Sequence, residues 1–200
     1  ERARAAQKKT SISVKEDRDS QVEETIFVGY EIENLNNYPA LIKDVIQEGN
    51  NSFIIFDRTP FYAEMGGQLG DSGFALINDI RIPLLDTVKN ETDYYLHKTN
   101  FLGVDKFLGE SVLLSVDTAR RKSIQRNHTA THLLHWALRN ILGTHVHQAG
   151  SLVADDYLRF DFNHIEQTNK DELKSIESSV NSRILNNDRV SAYEIPFSKK

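Results

Sequence analysis

The sequence predicts an α+β protein in which a small β-barrel is followed by a two-layer α+β part. Up to Val116, about seven short runs rich in β-branched and aromatic residues alternate with turn-forming residues, as in small barrels and sandwiches. After Asp117 the apolar residues recur at helical spacing, and two short strand patterns interrupt them. With 200 residues, of which 39% are hydrophobic, the chain is long enough to bury a sizeable core.

The elements are predicted from local composition and spacing. Asp117 is a suitable N-cap for a long helix, and Gly143 is a suitable C-terminal stop. A second helix over residues 170–186 has an apolar stripe that we expect to face the core, formed by Leu173, Ile176, Val180, Ile184 and Leu185. The predicted strands are residues 25–30, 40–46, 52–57, 74–77, 80–88, 94–97, 112–116, 149–153, 157–162 and 190–195.

Composition narrows the class of protein. No apolar run approaches the roughly 20 residues of a membrane span, and the charged start lacks the apolar core of a secretion signal, so we expect a cytoplasmic protein without a membrane partner. The absence of cysteine excludes a disulfide framework and thiolate metal ligands within these residues. A net charge of -5 argues against indiscriminate nucleic-acid binding, and no DNA partner is expected. The oligomeric state cannot be derived from the sequence.

The first helix carries the most informative residues, His128 and His132. Four-residue spacing points both imidazoles to the same side of a helix, where they could hold one metal ion. The alternative is a pair of half-buried histidines that bond to their neighbours. No glutamate follows the first histidine, so the zinc-protease motif is not present. Zinc needs at least three protein ligands, and none of the other histidines stands at a spacing that recommends it.

Two further segments suggest ligand binding. In residues 57–73, four of the ten glycines fall within eight residues, and adjacent Gly66 and Gly67 precede Gln68. Glycines allow backbone to approach a ligand closely, although a plain hairpin loop explains the same pattern. The second segment is basic and has no acidic residue between Asp117 and Asp155, so we expect it to hold an anion such as an RNA backbone. Its candidate residues are Arg120, Arg121, Lys122 and Arg126.

Two motifs together resemble one family. The run Thr-Pro-Phe-Tyr-Ala-Glu-Met-Gly-Gly-Gln at residues 59–68 is similar to a signature of alanyl-tRNA synthetase editing regions. The later runs His-Thr-Ala-Thr-His-Leu-Leu at 128–134 and His-Gln-Ala-Gly-Ser-Leu-Val at 147–153 match the segment that follows it. The resemblance implies that residues 1–20 end a preceding helical region and that residues 21–117 form a β-barrel-like domain. Residues 118–200 would form an editing domain of the type common to threonyl- and alanyl-tRNA synthetases, truncated at its C-terminal end.

The resemblance also implies a function. Enzymes of this family attach alanine to its tRNA with ATP and magnesium in a separate domain, and their editing region hydrolyses seryl- or glycyl-tRNA(Ala). A pocket shaped for a methyl group cannot strongly reject an isostere with an added hydroxyl, so a second site must repeat the selection. The expected partner is the acceptor end of tRNA(Ala).

The resemblance assigns roles to individual residues. His128 and His132 match two zinc ligands of the family, whose other ligands lie in a Cys-Gly-Gly-Thr-His segment that these 200 residues lack. We therefore expect an incomplete zinc site and an inactive isolated chain. The expected catalytic residues are Thr59, Gly66, Gly67 and Gln68. The expected substrate-binding residues are Arg58, Gln148, Ser151 and the four basic residues named above.

Two alternatives stay open. A free-standing editing deacylase that acts on mischarged tRNA shares both motifs and has no aminoacylation domain. A non-catalytic tRNA-binding module would carry the same histidines on an ordinary helix surface. Metal content and hydrolysis of mischarged seryl-tRNA distinguish these possibilities.

Overall fold

The computed structural model describes residues 24–49, 51–90 and 94–189. Strands and helices follow one another in the predicted order, with a β-rich part up to Val116 and two helices and a β-hairpin after it. The predicted helical lead-in at residues 1–20 and the predicted strand at 190–195 lie outside the described residues. The strands are β1 (Ile26–Phe27), β2 (Tyr38–Glu48), β3 (Asn51–Phe56), β4 (Arg58–Thr59), β5 (Gly73–Ile77), β6 (Ile80–Leu84), β7 (Asp86–Lys89), β8 (Tyr95–Thr99), β9 (Ser111–Val116), β10 (Gln148–Val153) and β11 (Leu158–Phe162).

Seven of these strands form one antiparallel sheet in the order β6-β5-β9-β2-β3-β8-β7. The long strand β2 pairs with β9 through its first residues and with β3 through its last residues. The two outermost strands, β6 and β7, are consecutive in the chain and are separated only by Leu85. The sheet therefore curves until its two edges approach each other.

The predicted closed barrel is not found among the described residues, so this part of the prediction is wrong. The sequence predicts a single strand over residues 80–88, but the pairing partner of the chain changes at Leu85. The chain pairs with β5 before this residue and with β8 after it. The result is a strongly curved sheet whose ladder ends at β6 and β7.

The concave side of this sheet encloses the main core. Its fully buried members include Ile42, Phe56, Phe61, Leu84 and Leu114, which come from segments that are far apart in the sequence. Burying such side chains stabilises the fold by about 1.5–3 kcal/mol each. The core thus fixes the strand that leads into the first helix.

Helix α1 spans Thr118–Leu142, and both of its predicted ends are confirmed. The carboxylate of Asp117 accepts a hydrogen bond from the backbone N–H of Arg120 at 3.0 Å, which caps the N-terminus. At the other end the N–H of Gly143 donates to the carbonyl of Arg139 at 3.1 Å. Strand β9 ends at Val116, so Asp117 alone connects the sheet to the helix.

Helix α2 spans Lys170–Asn186, as predicted, and begins with a capping box between Asn169 and Glu172. Ile176 is buried in a second small core with Ala137 and Leu138 of α1, and Phe160 packs against this core. The expectation that the whole apolar stripe faces the core is wrong. Three members are exposed because no described element covers their side of the helix: Leu173, Ile184 and Leu185.

Among the described residues, no helix combines the length and the apolar character needed to cross a membrane.

Candidate functional site

The two histidines lie on the same side of α1, one turn apart. Their rings are nearly parallel, with an angle of 18° between the planes and 5.0 Å between the centroids. His128 is half-buried, and His132 is exposed. Burial, together with the neighbouring imidazole of His132, lowers the pKa of His128 below its ordinary value. This shift favours the neutral form of His128, in which one ring nitrogen keeps a lone pair.

Gln68 connects this histidine pair to the glycine-rich segment. Its side-chain oxygen Oε1 lies 2.6 Å from Nδ1 of His128, and the residue is buried. Because a carbonyl oxygen can only accept, Nδ1 of His128 donates this hydrogen bond, and Nε2 carries the free lone pair. Two residues that are 60 positions apart in the sequence are thus in direct contact.

The glycines in front of Gln68 form a tight turn. Met65 and Gln68 exchange backbone hydrogen bonds of 3.2 and 3.1 Å, and the two central residues, Gly66 and Gly67, have φ angles of 63° and 88°. Positive φ at both central positions is the mark of a type I′ turn, which strongly favours glycine. At Gly67 a second constraint applies, because a Cβ atom would lie 2.5 Å from the backbone oxygen of Ser151.

Strand β10 packs directly against this turn. The N–H of Val153 donates to the carbonyl of Gly67 at 2.7 Å, and the N–H of Leu69 donates to the carbonyl of Val153 at 3.1 Å. Between the turn and the strand lies an open depression of about 260 Å³. It is lined by Gly66, Gly67, Gln148, Ala149, Gly150 and Ser151. Neither imidazole is among these lining residues. Gln68, at the end of the turn, is the residue that contacts His128.

The structure brings the predicted pair Gln148 and Ser151 into this depression. The side-chain amide of Gln148 donates to Oγ of Ser151 at 2.9 Å. The pairing of β10 with β11 shifts between Gln148 and Gly150, so that Ala149 is an extra residue that forms a bulge. Bulges redirect side chains and occur frequently beside functional sites. Composition alone gave no signal for this bulge.

The four basic residues of α1 do not form one cationic surface. Arg121 is buried, and its guanidinium forms an ion pair with the buried Asp71 and donates to the carbonyl of Pro60 at 2.7 Å. Arg120 donates to the carbonyl of Gly70 at 2.7 Å and lies 3.4 Å from a carboxylate oxygen of Asp155. The expectation of uncompensated charge is therefore wrong at these two positions, because acids distant in the sequence fold onto them.

Lys122 and Arg126 remain exposed on the helix, where they are accessible to an anionic ligand. The guanidinium of Arg126 donates to the hydroxyl of Ser123 at 2.7 Å, within the same helix. Of the predicted basic cluster, these two residues keep the accessible charge that contact with phosphates requires.

Thr59 and Arg58 lie away from the depression. Thr59 is completely buried, and its hydroxyl is 2.8 Å from Nε2 of the buried His97. Thr59 is not among the residues that line the depression, and its role next to a substrate stays a prediction. Arg58 is exposed and donates from Nε to the carboxylate of Asp57 at 2.9 Å.

Asn127 lies immediately before the first histidine and is not among the site residues predicted from the sequence. Its side-chain amide donates to the carbonyls of Ala154 and Asp155 at 2.8 and 3.3 Å. Asn127 therefore fixes α1 to the end of β10, next to Val153, whose N–H bonds the carbonyl of Gly67. Its position beside His128 is the only sequence signal that could have identified it.

The donor set agrees with half of a zinc site. His128 offers Nε2 while its Nδ1–H is held by Gln68, and metal-bound histidines commonly have such a second hydrogen bond. Among the described residues, no third histidine, aspartate or glutamate joins the pair to complete a metal site. A structural or catalytic zinc ion needs three or four protein ligands, so these two imidazoles alone would hold it weakly.

Comparison with known proteins identifies the family. A family model described as tRNA synthetases class II (A) matches residues 1–120, more than half of the chain. The chain belongs to this family of class II tRNA synthetases. Curated relatives extend the similarity over the whole chain. The alanine–tRNA ligase of Opitutus terrae is 41% identical over 207 residues, and that of Methylacidiphilum infernorum is 44% identical over 200 residues.

The chain aligns with only a small part of each of these relatives. Both alignments include 100% of this chain but only 22% and 21% of the two ligases, so this synthetase-family chain spans about a fifth of their length. The alanine–tRNA ligase of Acetivibrio thermocellus is 46% identical over 167 residues, which is 80% of the chain and 19% of that ligase.

Proposed function

We propose that this chain is part of an alanine–tRNA ligase and belongs to the region that hydrolyses seryl- or glycyl-tRNA(Ala). The parent enzyme would attach alanine to tRNA(Ala) with ATP and magnesium in another part of the protein. The observation that carries the proposal is the 2.6 Å contact between Gln68 and His128. This contact connects a glycine turn beside an open depression to a pair of imidazoles that could bind a metal.

The depression is suited to the charged end of a tRNA. Its floor has glycine backbone at Gly66 and Gly67, which lets a ligand approach the main chain without meeting a side chain. Gln148 and Ser151 add an amide and a hydroxyl, which can bond the hydroxyl group of a seryl ester. An alanyl ester lacks this hydroxyl and offers no such partner to the two groups, which bond each other at 2.9 Å, so selection of the seryl ester would rest on its added hydroxyl.

Gln68 has a positioning role in this proposal. By accepting a hydrogen bond from Nδ1 of His128, its carbonyl fixes the imidazole tautomer and ring orientation. His128 and His132 would hold zinc together with ligands from outside the described residues. When bound, the metal would supply Lewis-acid polarisation of the ester or of water. The backbone of the turn then orients the terminal adenosine beside it.

The test uses the full-length ligase that contains this sequence, with mischarged seryl-tRNA(Ala) as substrate. We expect Gln68→His and His132→Ala to slow seryl-ester hydrolysis by at least tenfold, whereas attachment of alanine stays unchanged. His145→Ala is the matched control, because this exposed histidine follows the end of the same helix. Loss of alanine attachment with normal hydrolysis would assign these residues to a different activity.

A further inference from the structure

A second recess lies next to the glycine turn and is lined by Phe27, Tyr30, Tyr62, Tyr95, Met65 and Lys89, with a volume of about 80 Å³. We propose that this aromatic recess binds an unpaired nucleobase of the RNA strand whose terminal nucleotide lies at the glycine turn. The identity of the RNA as tRNA rests on the proposed function. The proposal that the recess binds a base depends only on the contacts among the residues that line it.

The rings of the recess are arranged before any ligand arrives. Phe27 and Tyr95 stack with their centroids 5.7 Å apart and 7° between their planes, and Tyr30 meets the Phe27 ring edge-on at 5.0 Å. Tyr62 completes the cluster at 6.3 Å from Phe27. Tyr30 is nevertheless 79% exposed. An exposed aromatic face fixed by neighbouring rings is the surface on which single-stranded nucleic acids stack their bases.

The polar groups of the recess favour a base over an aliphatic or acidic ligand. Burial raises the pKa of the Tyr62 phenol, and the nearby Tyr30, Tyr95 and Asp71 raise it further, so the Tyr62 hydroxyl group stays a protonated donor at the recess. The Lys89 ammonium lies 4.7 Å from the centre of the Tyr95 ring. It has the only charged side chain among the residues that line the recess.

These groups match the chemistry of a nucleotide. Aromatic faces stack on a base, hydroxyl groups bond its edges, and a lysine at the rim attracts its phosphate. A lipid tail would leave the hydroxyl groups unpaired, and an acidic peptide has no flat π surface to stack on the tyrosines.

The turn places the recess beside the depression. Met65 lines the aromatic recess, and Gly66 and Gly67, the next two residues, line the depression. The Cα atoms of Met65 and Gly67 can be no more than about 7.6 Å apart, because consecutive Cα atoms are separated by about 3.8 Å. The two recesses are therefore close enough for adjacent nucleotides of one strand, with the preceding base on Tyr30.

The experiment measures base stacking directly and does not depend on ester hydrolysis. A short single-stranded RNA carries a fluorescent base analogue at the next-to-last position, and its quenching is followed as the 200-residue chain is added. We expect quenching with the unchanged chain, about tenfold weaker binding with Tyr30→Ala, and nearly unchanged binding with Tyr30→Phe, which keeps the ring. Tyr157→Ala is the matched control, since Tyr157 is 51% exposed and lines neither recess.

The outcomes separate this proposal from the proposed function. Equal binding by Tyr30→Ala and the unchanged chain, absence of quenching, or an equal loss with Tyr157→Ala would each overturn the aromatic site. Quenching that depends on Tyr30 supports it even if the ligase does not hydrolyse seryl-tRNA. Conversely, the ligase could hydrolyse seryl-tRNA while the RNA binds equally well without the Tyr30 ring. That result would support the proposed function and overturn the aromatic site.

Discussion

Arg121 and Asp71 form a buried ion pair that joins the helix of the histidines to the segment of the glycine turn. Arg121 lies seven residues before His128, and Asp71 lies three residues after Gln68. The Asp71 carboxylate also accepts a hydrogen bond of 2.7 Å from the backbone N–H of Tyr62. One carboxylate thus connects both ends of the loop between residues 62 and 71 to helix α1.

The first prediction concerns this pair. Asp71→Asn removes the negative charge and leaves the Arg121 guanidinium buried without a counter-ion. We expect the free energy of unfolding to fall by about 3–5 kcal/mol, as measured by chemical denaturation, because an uncompensated buried charge is strongly destabilising. The matched control is Asp188→Asn, which breaks the exposed pair with Arg183 and should change stability by no more than about 0.5 kcal/mol. Similar effects at both sites would contradict the structural role of Arg121.

The second prediction separates the two glycines of the turn. Both have positive φ, but a Cβ at Gly66 meets no atom within 4 Å, whereas one at Gly67 would lie 2.5 Å from the Ser151 backbone oxygen. Gly66→Ala should therefore cost about 1–2 kcal/mol of unfolding free energy from backbone conformation alone. Gly67→Ala should cost more and should also accelerate hydrogen exchange of the Val153 amide, which donates to the Gly67 carbonyl. Equal exchange in the two variants would count against the contact with β10.

The third prediction concerns the pH dependence of stability. Burial lowers the pKa of His97 from an ordinary value of 6.5 to about 4, and its two ring nitrogens bond Thr59 and the carbonyl of Ile54. Because the unfolded chain takes up a proton first on acidification, this group makes stability rise with pH between about 4 and 6.5. Its contribution of about 3 kcal/mol is complete above pH 6.5 and is lost as the pH falls toward 4.

Denaturation curves at several pH values test this prediction. His97→Gln removes the titrating group and should flatten the dependence of stability on pH in this window, whatever the absolute stability of the variant. An unchanged slope would mean that His97 is already protonated in the folded protein. His164→Gln, at a half-buried position outside the main core, serves as the control.

The fourth prediction concerns zinc. Emission spectroscopy on the 200-residue chain should find little zinc, since two imidazoles form an incomplete site, whereas the full-length ligase should hold about one zinc per chain. His132→Ala should remove this zinc from the full-length protein. Equal zinc in both proteins would instead point to ligands among His145, His147 and His164, two of which are already in contact at 2.9 Å.

Local signals in the sequence were sufficient for the helix and the turn. Asp117 and Gly143 identify the ends of α1 because capping depends on residues within one turn of the helix end. Adjacent glycines identify the Met65–Gln68 turn for a similar reason, since positive φ is a property of single residues. The four-residue spacing of His128 and His132 then places both rings on one side of the helix.

Contacts between distant residues could not be derived in this way. Nothing near Arg121 in the sequence shows that Asp71, 50 positions away, would neutralise it. The change of pairing partner at Leu85 could not be predicted for the same reason. It depends on where the distant strands β5 and β8 lie in the folded sheet. The apolar stripe of α2 was assigned to the correct helix, but spacing shows only which side is apolar and not whether another element covers it.

The single-residue junction at Asp117 has a consequence for how this protein tolerates changes in length. Only Asp117 separates β9 from α1. An insertion or deletion of one residue at this junction would therefore rotate every later side chain of the helix by about 100° around the helix axis and shift it by about 1.5 Å along it. The imidazoles would then turn away from Gln68 although every ligand and every glycine was still present. The length of the connection between β9 and α1 therefore determines where the two imidazoles point. Natural variants should accept insertions in surface loops more readily than at Asp117.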